Sequence, residues 1–208
     1  MKYYRYISFY FICSLILCCN SNPNHDSRVL FKKEIPTYEG SSLFADLKDT
    51  RDSLKLDTLE NGFDSLEIRL WFSYANSLNQ QVLVIRNKKG LWDGEYWEYL
   101  PQVDQMRTRV LYIESSVKKI NPNHGWIRLI DKLMENDILT LPDYQIIKDY
   151  SISTGGYQVA VEVSNQTNYR LYCYPSLLIN PNNKFAKKMI NIVQTLNTEF
   201  NLLLPKQK

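Results

Sequence analysis

LEIRLWFSY, residues 66–74, alternates without a break. Leu66, Ile68, Leu70, Phe72 and Tyr74 fall on one side of an extended chain, and Glu67, Arg69, Trp71 and Ser73 on the other. Successive side chains of a strand point to opposite faces, so this period of two predicts a strand with one face buried and one wet. The same reading extends outward from it. QVLVIR at 81–86 is a second strand, and Asn87-Lys88-Lys89-Gly90 is a turn in which Gly90 can take a positive φ. LWDGEYWEYL at 91–100 returns as a third strand, with Gly94 placed at a bulge, and RVLYIES at 109–115 is a fourth. Together they make an antiparallel meander.

Two helices and two more strands follow. Asn121 to Gly125 is a loop, after which Trp126, Ile127, Ile130, Leu133, Met134 and Ile138 recur at helical spacing, with fraying near Asn136. Tyr157, Val159, Val161 and Val163 alternate with Gln158, Ala160 and Glu162; Asn165 to Asn168 turn the chain, and 169–174 returns. A last helix over 184–200 buries Phe185, Met189, Ile192, Val193, Leu196 and Phe200, capped by Asn182 or Asn183. Upstream, 41–54 fits a short helix with Leu43, Leu47 and Leu54 on one side, although its charges suit a solvated loop equally well. Asn61-Gly62 is a turn. Strand runs broken by single helices predict an α+β fold: an antiparallel sheet of about six strands with two main helices packed on one face, in a single domain over 41–204.

The front of the chain differs in kind. Lys2 and Arg5 precede an uncharged apolar run, Ile7 to Leu17, too short for the roughly 20 residues that span a bilayer. It meets Cys18-Cys19 and turns polar at once with Asn20-Ser21-Asn22. This pattern resembles the leader of bacterial lipoproteins, in which Leu and two small or apolar residues precede a lipidated cysteine. The resemblance covers the leader alone. It implies a signal peptide over 1–18 and diacylglycerol, with palmitate-type chains, on Cys19. Cys18 is the alternative, because Leu15-Ile16-Leu17 supplies the usual Leu whereas a small Cys18 before the cut favours Cys19. The layout beyond it is similar to small envelope lipoproteins with one α+β domain. Residues 19–40, with Pro23 and Pro36, then read as the lipidated cysteine and a flexible tether, and 205–208 as a free tail. The expected place is the cell envelope, on the outer membrane facing the periplasm.

The whole chain carries 25 basic and 22 acidic residues, a net +3, and loss of Lys2 and Arg5 leaves +1. That balance gives no concentrated basic footprint for nucleic acid. Of four cysteines, Cys13, Cys18 and Cys19 lie at the front, so the mature domain keeps Cys173 without an internal disulfide. Cys173 shares a strand face with Tyr169 and Leu171, where a buried inert thiol is expected. The mature chain's two histidines, His25 and His124, lack the clustering of a metal site, and neither a catalytic residue nor a cofactor motif is assigned. Asp93 and Glu95 share a strand face at a spacing that suits paired carboxylates; with His124 they define an alternative reading as an envelope hydrolase.

The aromatic pattern stands out, with 15 tyrosines and four tryptophans. Trp71 falls on the polar side of its strand, and Arg170, Tyr172 and Tyr174 fall opposite Leu171 and Cys173. Such rings form either a second core layer under the 41–59 segment or an exposed face for a protein or glycan partner. The second choice makes Trp71, Arg170, Tyr172 and Tyr174 the expected binding residues of a non-enzymatic interaction domain.

Overall fold

The computed structural model describes residues 42–74, 77, 79–103, 110–153 and 156–202. The expected leader with Cys18 and Cys19, the expected tether, Gly155 and the expected tail lie outside the described residues. Helix α1 spans Ser42–Ser53, followed by strands β1 (Leu66–Tyr74), β2 (Gln80–Lys88), β3 (Leu91–Val103) and β4 (Val110–Lys119). Then come α2 (Trp126–Glu135), β5 (Tyr157–Asn165), β6 (Tyr169–Pro175) and α3 (Lys184–Phe200). One six-stranded antiparallel sheet runs in the order β4-β3-β2-β1-β5-β6. The fold is α+β, and the alternating stretch at 66–74 is one of its inner strands, paired on both sides.

Register decides what shares a face. Leu70 lies opposite Leu83 on β2 and Val161 on β5, and Val161 lies opposite Tyr172. This face carries Ile68, Leu70 and Phe72 into a core with Leu129 and Leu133 of α2 and Met189, Ile192, Val193 and Leu196 of α3. Each fully buried side chain of this size contributes roughly 1.5–3 kcal/mol. The other face is covered too. Trp71, Val82, Val84, Tyr99, Tyr169 and Leu171 pack against Leu47 of α1 and against Leu54, Leu56 and Leu59 just after it. The sheet is therefore sandwiched, and β1 is wet on neither side: Glu67 and Arg69 are as buried as Ile68 and Leu70.

Local chemistry explains the element ends. Asn183 caps α3 by accepting from the amides of Phe185 and Ala186, a contribution of about 1 kcal/mol. The β2–β3 hairpin closes with Lys89 and Gly90 both at positive φ, the backbone twist that two-residue hairpins prefer. Gly94 is not at a bulge. It pairs regularly with Ile85, and the sheet's irregularity lies at Gln102/Val103. A Cβ at Gly94 would sit 2.7 Å from Cη2 of Trp126, so the glycine makes room for the indole.

Candidate functional site

The expected aromatic binding face does not exist as a surface. Trp71 is buried, its Nε1 donates to Glu162 Oε2 at 2.8 Å, and its ring meets Tyr99 edge-on. Tyr172 and Tyr174 are buried on the opposite side of the sheet, because Trp71 aligns with Ala160 and Cys173 while Leu70 aligns with Val161 and Tyr172. Their hydroxyls donate to the carbonyls of Ile138 and Pro142. Arg170, half-buried, donates to the carbonyls of Leu139 and Leu141. The rings are a second core layer on one face and part of the main core on the other. The physical reason is that both faces of the sheet are covered, by α2 and α3 on one side and by α1 with the 54–59 segment on the other, so aromatic area there is worth more buried than wet.

The polar side of β1 carries a buried ionic layer instead. Arg69 donates through Nε to Glu67 Oε1 at 2.6 Å and through Nη2 to the Asp57 carbonyl at 2.7 Å. Its Nη1 stands 3.8 Å from Glu162 Oε2, too far for a hydrogen bond. Glu162 also accepts from the Tyr169 hydroxyl, and Glu67 accepts from Arg86 at 3.0 Å. Burial and the Glu162 carboxylate push the Tyr169 hydroxyl far above the usual tyrosine range. Arg51 of α1 reaches both oxygens of Glu60 at 2.7 Å, bringing the helix and the 54–60 strap down over this layer.

The alternative catalytic pair is drawn into the same network. Arg86 lies between Asp93 and Glu95, 3.9 Å from the first and 2.9 Å from the second. A carboxylate bonded to a guanidinium at 2.9 Å already has its partner and is not left free to face a substrate. His124 is not their partner. It reaches the other side of the core, where its backbone amide and Nδ1 meet the fully buried Glu199 at 3.0 and 3.1 Å, with Lys132 Nζ at 3.3 Å. Cys173 is buried, and burial together with Asp143 raises its thiol well above the ordinary value. The described residues contain no group of three His, Cys, Asp or Glu placed to hold a metal ion, and no helix among them is long and apolar enough to cross a membrane.

Glu199 has a pH consequence. Burial alone would raise its carboxyl, but the amide and ring of His124 and the Lys132 ammonium outweigh burial and hold it below the ordinary value of 4.5. A lowered folded-state value means the stability it adds is fully present above about pH 4.5 and is lost as pH falls through the lower value. Denaturant unfolding followed from pH 6 to about pH 3 should show Glu199→Gln losing less stability across that acid window than the parent. Equal slopes in the two proteins would remove Glu199 from the acid-sensitive set.

Sequence reasoning missed both ion clusters, although each left a signal. Glu67 and Arg69 share the β1 face with Trp71, and a tryptophan there argues for cover. Glu199 follows Ile192 and Leu196 along the apolar stripe of α3, where an acid needs a partner. Among the described residues, a solvent-facing groove of roughly 390 Å³ lies beside the start of β2, the later half of β3 and the middle of β4, lined by residues that include Asn79, Gln81, Glu98, Leu100, Glu114 and Ser116. No protein-family model, curated protein or solved structure matches the chain.

Proposed function

We propose that this chain is a lipid-anchored cell-envelope protein whose α+β domain is a non-enzymatic binding module, held on the outer membrane facing the periplasm. The observation that carries the reading is the uncharged run Ile7 to Leu17 ending at Cys18-Cys19 and turning polar at once. Acyl chains on that cysteine contribute about 0.8 kcal/mol per buried methylene, enough with several chains to hold a domain at a bilayer. The side chains best suited to chemistry support a binding role over catalysis. Glu95 is tied to Arg86, His124 to Glu199, and Cys173 is buried and protonated. The partner, a protein segment or a glycan, would meet the molecule at its exposed polar surface, where the groove across β2, β3 and β4 offers amides, hydroxyls and carboxylates. The buried rings of Trp71, Tyr172 and Tyr174 take no part.

Metabolic labelling with palmitate tests the anchor. The parent chain should incorporate label and lose residues 1–18, Cys19→Ala should lose both properties, and Cys18→Ala should keep them. An unlabelled parent that retains Met1 would refute the reading.

A further inference from the structure

The two edges of the sheet are treated differently. At the outer side of β6, the Cys173 amide donates to Asp143 Oδ2 at 2.9 Å, and Arg170 gathers the carbonyls of Leu139 and Leu141. The segment after α2 therefore closes that edge. β4 is the last strand at the other end, and among the described residues nothing pairs with its outer side. The Ile120 amide donates inward to Gly94 at 3.0 Å, and β3–β4 pairing runs in one register from Glu95↔Lys119 to Gln102↔Tyr112. Hydrogen-bonding direction alternates along a strand, so even-numbered residues bond to β3. The amides and carbonyls of Ile113, Ser115, Val117 and Lys119 then point outward. Pro101 opposite Ile113 agrees with this, since that position asks for no N–H toward β4. Side chains along the strand are open as well, with Tyr112 57% and Val117 50% exposed.

Such an edge is a template for another strand, and its charges choose the partner. We propose that β4 pairs antiparallel with β4 of a second copy of this chain, across a two-fold axis through Ser116. An axis perpendicular to the sheet preserves its faces, so only residues of equal parity can stand opposite one another. Centring on Glu114 or Lys118 sets like charges together. Centring on Ser115 or Val117 sets both charges against neutral residues. Centring on Ser116 places Glu114 opposite the partner's Lys118, twice over, at positions not hydrogen-bonded between the copies. There the side chains come closest. Ser115 and Val117 exchange their outward backbone bonds in the same register. Glu114 makes no hydrogen bond or ion pair among the described residues, and Lys118 Nζ rests over the Tyr96 ring on the same face. The inference is independent of the anchor, because it rests on β4 alone.

Sedimentation equilibrium of the purified full chain in density-matched detergent tests it. The parent should be a dimer. Glu114→Lys and Lys118→Glu should each weaken it about tenfold or more, since two attractive pairs become repulsive, and the double swap Glu114→Lys/Lys118→Glu should restore it. Val117→Pro removes an outward N–H and spares the β3 ladder; it should give a monomer with the parent's circular dichroism spectrum. A parent that stays monomeric, a dimer indifferent to Val117→Pro, or single swaps that the double does not rescue would each overturn the proposal.

Discussion

Glu67→Ala is expected to cost about 3–5 kcal/mol of folding stability, the range for removing one member of a buried ion pair. The substitution strands one guanidinium and takes a partner from a second, which keeps Glu95 at 2.9 Å. Arg69, fully buried, loses its 2.6 Å contact, and Arg86 loses one at 3.0 Å. The remaining carboxylate beside Arg69, Glu162, stands 3.8 Å away and is already shared between Trp71 and Tyr169. Loss of side-chain packing is the smaller part, because the buried stem of a glutamate is short. The two parts separate in a double variant. Glu67→Ala/Arg69→Met removes the stranded charge nearest the gap and fills its volume with an apolar chain. Its stability should lie well above that of Glu67→Ala alone, since apolar replacement of buried ion pairs is often neutral or stabilising. Guanidinium unfolding at pH 7 measures both. A Glu67→Ala loss under about 1 kcal/mol, the scale of exposed pairs, would show that water reaches this layer.

The same layer marks where sequence reading stopped. Alternation at 66–74 located β1, and the apolar stripe of α3 with Asn183 at its head gave that helix its true limits, Lys184–Phe200. Both patterns are local, and local periodicity reports which residues share a side. It does not report what lies over that side. Glu67 and Arg69 read as solvent-facing because charge usually means water. Cover came from Leu47, Leu54, Leu56 and Leu59, whose apolar spacing is weak and interrupted by acids and lysines. The misplacement of Tyr172 and Tyr174 relative to Trp71 has a different cause. Parity along one strand is visible in sequence, but parity between β1 and β6 passes through the register of β5, which only the paired structure supplies. The β4 edge was invisible for the same reason, since being outermost is a property of strand order.

Gly94 turns that lesson into a prediction with an informative sign. By strand propensity, Gly94→Val in a regularly paired strand should stabilise by up to about 1 kcal/mol, as valine fits a pleated surface and glycine does not. Its φ is not in the left-handed region, so no backbone strain opposes the change. Packing opposes it. The first added carbon alone would stand 2.7 Å from Trp126 Cη2 and 3.2 Å from Ile120 Cγ1. Trp126 has little freedom to retreat, since its ring stacks on Trp92 at 6.5 Å and leans on Phe200 at 6.0 Å. Overpacking of this kind costs roughly 1–3 kcal/mol, and a clash with a ring held on two sides belongs at the upper end, so destabilisation wins. Thermal unfolding should show Gly94→Val less stable than the parent by about 2 kcal/mol, with a changed near-ultraviolet tryptophan signal. In a Trp126→Leu background the same substitution should be close to neutral, because the atom it collides with is gone. If Gly94→Val were stabilising in the parent, the glycine would be serving the strand's backbone and not the indole, and α2 would not be docked on β3 through this contact.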